Sequence, residues 1–136
     1  MPVAALITWI ITAVLGFTML GLWLSRGGLR AAQASGTTPT RLVPQLIFGH
    51  FLLAAAGLIL WIIYVITDTE VLTWIAFAVL VLVAILGDVM FLRWRRSRTE
   101  GTPEARFPVA VVYGHGLFAV VTVVLVLLSA LGVGGS

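Results

Sequence analysis

The stretch RFPVAVVYGHGLFAVVTVVLVLL, Arg106–Leu128, enters from an arginine into a nearly unbroken apolar run, interrupted by one histidine, His115, set between Gly114 and Gly116. At 1.5 Å of rise per residue, about 20 apolar residues cross the hydrocarbon core of a bilayer, so the run reads as a membrane-spanning helix. Three further runs have the same character, and the four are expected at roughly Val3–Leu24, Val43–Thr67, Glu70–Trp94 and Pro108–Leu131. Pro44 and Pro108 fall in the first turns of the second and fourth runs, where a missing N–H costs nothing. An imidazole in lipid still has a donor and an acceptor to satisfy, so His115 calls for a partner within the protein.

Composition agrees with this reading. Of 136 residues, 61% are hydrophobic and 10% charged, which excludes an ordinary soluble domain. Cysteine is absent, which removes disulfides, zinc thiolates and thiol chemistry. The net charge of +3 does not indicate nucleic acid, because the basic residues are placed by topology. All eight are arginines, and they fall in two loops, at 25–43 and 93–107, with none at either terminus or in the short TDTE segment, Thr67–Glu70. The excess of positive charge on cytoplasmic loops puts both arginine loops inside and both termini outside. The first run has no positive segment before it and is expected to be retained rather than cleaved as a signal peptide. The absence of lysine suggests a GC-rich bacterial genome and hence the inner membrane.

The expected fold is therefore an all-α membrane protein, a single four-helix bundle over residues 1–136. Its two halves, about 3–67 and 70–131, match each other. LGFTMLGLW (Leu15–Trp23) recurs as LGDVMFLRW (Leu86–Trp94) 71 residues on, and RLVPQLIFGHFLLA (Arg41–Ala54) recurs as RFPVAVVYGHGLFA (Arg106–Ala119) 65 residues on. Each copy runs from outside to inside and back, which makes them parallel repeats about an axis along the membrane normal. Such an axis sets equivalent residues at equal depth across the bundle centre.

The only two histidines, His50 and His115, are equivalent in this way. Each follows a glycine, Gly49 or Gly114, and each has an alanine one turn later on the same face, Ala54 or Ala119. On the partner helices Gly16 with Met19, and Gly87 with Met90, lie at similar depth. Two inward imidazoles beside small residues suit a b-type haem, which takes opposed imidazoles as axial ligands. Arg41 and Arg106, each nine residues before its histidine, stand where they would meet propionates. Phe48, Phe51 and Tyr113 are available to pack at the macrocycle edge.

With these residues in place the chain resembles a small four-helix membrane b-type cytochrome, similar in general plan to the cytochrome b561 group and to the haem-bearing membrane anchors of succinate dehydrogenases. That resemblance implies haem b, electron transfer, and partners among respiratory-chain subunits or quinone. It departs from the b561 pattern, which implies two haems on four histidines, whereas one pair holds one haem. No catalytic triad, phosphate loop or paired carboxylates stand out, so an electron-transfer or accessory subunit is favoured over a stand-alone enzyme.

Alternatives stand beside this reading. The histidines would be structural if they bonded each other or backbone carbonyls, with glycines serving close packing; the protein would then be a cofactor-free accessory or assembly subunit. Met19 and Met90 with the two histidines would form a Cu(I) set of thioethers and imidazoles, for copper or proton translocation. Asp88, where the first repeat has Phe17, is expected to pair with Arg93 or Arg95. Trp23 and Trp94 are expected as interfacial anchors, with Trp9, Trp61 and Trp74 as the opposite belt. The cluster RWRRSR, Arg93–Arg98, sets topology and attracts anionic lipid. Beyond the bilayer, a homo-oligomer is compatible with the sequence and nucleic acid is not.

Overall fold

The computed structural model describes residues 1–34 and 40–134, so the 35–39 part of the first arginine loop lies outside the described residues. The described chain is helical: α1 (Pro2–Ser25), α2 (Gly28–Gln33), α3 (Pro44–Thr67), α4 (Val71–Ser97) and α5 (Val109–Ala130). The four long helices are each long and apolar enough to cross a membrane. Their limits fall within three residues of the sequence expectation. Pro2 and Pro44 open α1 and α3, and Pro108 stands one position before α5 as its N-cap. Asp68 ends α3 in the left-handed conformation (φ 53°), which an Asp tolerates better than a branched residue.

Two elements differ from expectation. The short α2 was expected as loop; it begins after Gly27, whose φ of 78° suits glycine, and Gly28 lies so close to the Trp23 indole that no side chain would fit. Helix α4 runs past Trp94 to Ser97, carrying Arg95 and Arg96 in its last turn, where cations offset the negative end of the helix dipole.

Packing crosses the two halves of the sequence. Helix α1 packs most extensively on α5 and α3 on α4; α4 touches α5 less, and α1 touches α3 least. The core falls into two clusters at opposite ends of the bundle. At the end that carries the chain termini it comprises Ala5, Trp9, Trp61, Tyr64, Ala76, Leu80, Val83 and Val126. At the arginine end it comprises Trp23, Leu42, Ile47, Trp94, Phe107 and Val112. Between them no residue on any of the four helices is fully buried: α1 from 10 to 22, α3 from 48 to 56, α4 from 84 to 93 and α5 from 113 to 121. The bundle is tight at both ends and loose in its middle.

The tryptophans correct the sequence reading. Trp23 and Trp94 are 1% and 2% exposed, so they are core plugs rather than interfacial anchors. Trp9 and Trp61 are likewise buried, and Trp61 donates its indole N–H to the carbonyl of Pro2 at 3.1 Å; Trp74 alone of the expected belt faces outward. Depth along a helix selects tryptophan for the interface, but its face decides whether it meets lipid or the core, and these four lie on inward faces.

Candidate functional site

The two histidines meet at the loose middle level. His50 extends from α3 and His115 from α5, helices that occupy opposite corners of the bundle, and their ring centroids are 6.2 Å apart with planes inclined at 57°. Each ring is held by the helix beside it. His115 Nδ1 lies 2.8 Å from the carbonyl oxygen of Thr12 on α1, and His50 Nδ1 lies 3.0 Å from that of Val83 on α4. A carbonyl only accepts, so each Nδ1 carries the hydrogen, and in the neutral ring each Nε2 keeps a lone pair.

Glycine makes these bonds accessible. In an α-helix the carbonyl of residue i already receives the N–H of residue i+4, and the side chain at i+4 covers the approach to it. The residues four beyond Thr12 and Val83 are Gly16 and Gly87. A Cβ on Gly16 would stand 3.1 Å from His115 Cε1, and one on Gly87 3.3 Å from His50 Cε1. These glycines are thus seats for the imidazoles. Thr12 and Val83 are separated by the same 71 residues as Gly16 and Gly87, so the contacts follow the sequence offsets.

The other expected residues are placed unevenly. Gly49 has open space around it and Gly114 faces Leu15 at 3.5 Å, while Ala54 and Ala119 are half-buried at the loose level. Met19 and Met90 pack against the arginine-end cluster beside Trp23 and Trp94, so their thioethers serve that core. Arg41 is held by a two-pronged pair with Glu100, its Nε at 2.8 Å from Oε2 and its Nη2 at 2.5 Å from Oε1. The side chain of Arg106 is exposed and makes no ion pair among the described residues. Asp88 is exposed on α4 and pairs with neither Arg93 nor Arg95, because residues five and seven positions apart on one helix do not bring a short carboxylate to a guanidinium; Arg93 instead donates to the Arg41 carbonyl at 3.1 Å.

The chain matches no known family, no characterised protein and no solved structure. Function must therefore be argued from the site itself.

A second polar constellation, which the sequence reading missed, closes the arginine end. Glu104 is fully buried and accepts from the backbone N–H of Arg41 at 2.7 Å, the N–H of Leu42 at 3.3 Å and the Thr40 hydroxyl at 2.8 Å. Thr40 in turn receives the Trp23 indole N–H at 3.3 Å. Position 105, where the second repeat would supply the equivalent hydroxyl, is alanine, and the Trp94 indole N–H is buried without a partner. The only signal in sequence for this knot was an acidic residue inside an arginine-rich loop, which looks like ordinary solvated charge.

Proposed function

We propose that the protein is a membrane b-type cytochrome holding one haem between His50 and His115 and serving electron transfer. The observation that carries this reading is the histidine pair itself: two imidazoles from diagonal helices, each anchored at Nδ1 by a main-chain carbonyl, at a level where the bundle leaves its interior incompletely packed. An imidazole nitrogen binds a first-row metal at about 2.0–2.1 Å. Two coaxial rings sharing one metal then have centroids roughly 6.3 Å apart, against 6.2 Å here. The donor set fits, since haem iron takes imidazole ligands and a carbonyl bonded to Nδ1–H fixes the ring and raises the basicity of Nε2.

The ligands divide the bundle into its two strongest packing units, His50 within α3–α4 and His115 within α1–α5, so the macrocycle's place is the weaker seam between them. The haem would supply a one-electron couple there. The chain's own residues hold the ligand nitrogens, and the clusters around Trp23 and Trp94 at one end and Trp9 and Trp61 at the other keep water from the centre. With Arg41 committed to Glu100, Arg106 is the arginine free to meet a propionate carboxylate. The arrangement of arginines supports a bacterial inner-membrane protein with both Arg loops cytoplasmic, built from a duplicated helix pair, and donating to respiratory subunits or quinone.

A second reading draws on the same bonds: without a cofactor each histidine is a clamp between two helices, and the chain is an accessory subunit. The visible spectrum of protein purified from haem-replete cells separates the two. The haem reading expects a Soret band with sharp reduced α and β bands, lost in His50→Ala and in His115→Ala while helical circular dichroism persists. A colourless wild-type protein would overturn it and leave the clamp.

A further inference from the structure

Asp88 poses a problem that a single copy of the chain does not solve. It lies within the apolar span of α4, it is exposed, and no described residue pairs with it. A carboxylate facing hydrocarbon is costly, and intramembrane charges as a rule face protein, water or a partner charge. The face beside it has a regular pattern. Ile75, Ala78, Leu82, Ile85, Val89 and Leu92 are all exposed and succeed one another at alternating intervals of three and four residues. They run two positions behind the buried row that begins Thr73, Ala76, Leu80 and Val83, about 200° around the helix, and so point directly away from the bundle.

A 3.5-residue repeat is the seam of a coiled coil, in which alternate positions a and d meet their counterparts on a second helix. With Ile75, Leu82 and Val89 at a and Ala78, Ile85 and Leu92 at d, Asp88 takes position g and Arg93 takes position e. These are the flanking positions whose charges meet across a parallel pair, the g residue of one helix facing the e residue of the following heptad on the other. That residue is five positions further on, which from Asp88 is Arg93 of a second copy. The axial offset of about 7.5 Å is spanned by a long arginine side chain, because helix side chains lean toward the N-terminus, here back toward the level of Asp88.

We infer that the outward face of α4 is a self-association surface, on which two copies pair their α4 helices in parallel and Asp88 of each meets Arg93 of the other. Copies inserted with one topology are parallel by construction, and a two-fold axis repeats the ion pair on both sides of the seam. Charge selects the occupant: a second copy supplies both the apolar row and the cation, whereas lipid supplies only the first. The inference does not depend on any cofactor.

The absence of cysteine gives a clean test. Leu92→Cys, on the seam, should form a disulfide-linked dimer on mild oxidation in membranes, whereas Ile59→Cys, equally exposed on α3, should not. Sedimentation in detergent should show a reversible dimer whose dissociation constant rises at least tenfold in Asp88→Ala. Asp88→Arg should abolish the dimer, and adding Arg93→Asp should restore it, a rescue that misfolding would not produce. A protein that stays monomeric at every concentration, a dimer indifferent to Asp88→Ala, or cross-linking through Ile59→Cys in preference to Leu92→Cys would overturn the inference.

Discussion

The smallest residues set the site. Gly16 and Gly87 are helical glycines, and in a helix glycine is disfavoured relative to alanine by about 1 kcal/mol. What they give in return is access to the Thr12 and Val83 carbonyls, which a methyl group would obstruct. Glycine-to-alanine substitution should therefore change sign with position. Gly21, on the same helix as Gly16, has nothing within 4 Å of a built Cβ, so Gly21→Ala should stabilise by about 0.5–1 kcal/mol. Gly16→Ala and Gly87→Ala meet an imidazole edge at 3.1 and 3.3 Å and should instead lose about 1–2 kcal/mol from crowding, against which the propensity gain is set. Unfolding of the detergent-solubilised protein measures all three. Equal gains at the three sites would mean that the histidines are not seated on these glycines.

At the scale of elements, the two arginine-bearing loops behave as one cap. Thr40 to Leu42 before α3 is tied to Glu104 before α5, and Arg41 reaches Glu100 just beyond α4. The Arg41 guanidinium holds the Glu100 carboxyl below its ordinary value of 4.5. A depressed carboxylate stabilises the folded cap above its unfolded value, and the contribution fades as pH falls through the lower folded value. Amide hydrogen exchange across 99–107 should thus be slow near neutrality and should quicken below about pH 4.5, allowing for the intrinsic pH dependence of exchange. In Glu100→Gln it should already be faster at pH 7 and lack that acid step. Glu104→Ala should act more strongly, at about 2–4 kcal/mol, because it orphans two backbone donors and a hydroxyl in a buried place. This cap was the least legible part of the chain. Helix spans follow from run length, and the histidine pairing follows from matched offsets, because both are periodic properties of sequence. Glu104 meets Thr40 across 64 residues of chain with no period to announce it, and the tryptophan faces were misjudged because depth was weighed without rotation.

At the scale of the whole molecule, the repeat sequence and the packing partition the chain differently. The sequence divides it into α1 with α3 and α4 with α5, joined by TDTE, yet the strongest contacts pair α1 with α5 and α3 with α4. The histidines follow the packing: His115 of the second half bonds Thr12 of the first, and His50 of the first bonds Val83 of the second. The hydroxyl of Thr122 donates to that of Thr8 in the same crossed sense, at 2.9 Å. Each half thus lacks the partner that seals its own helices, and α1 alone with α3 would keep only the bundle's weakest interface. Cutting the chain within Thr67–Glu70, a short exposed link, should therefore cost little when both pieces are made together. A tagged piece ending at Asp68 should co-purify with an untagged piece beginning at Thr69, and the pair should keep the thermal unfolding of the intact chain to within a few degrees. Either piece made alone should be degraded or should self-associate, since a second copy of α3 offers α1 a substitute for α5, down to a histidine at the equivalent position. Isolation of either piece as a stable folded monomer would show that the crossed contacts are dispensable, and with them the physical reason for the two histidines to meet at the centre.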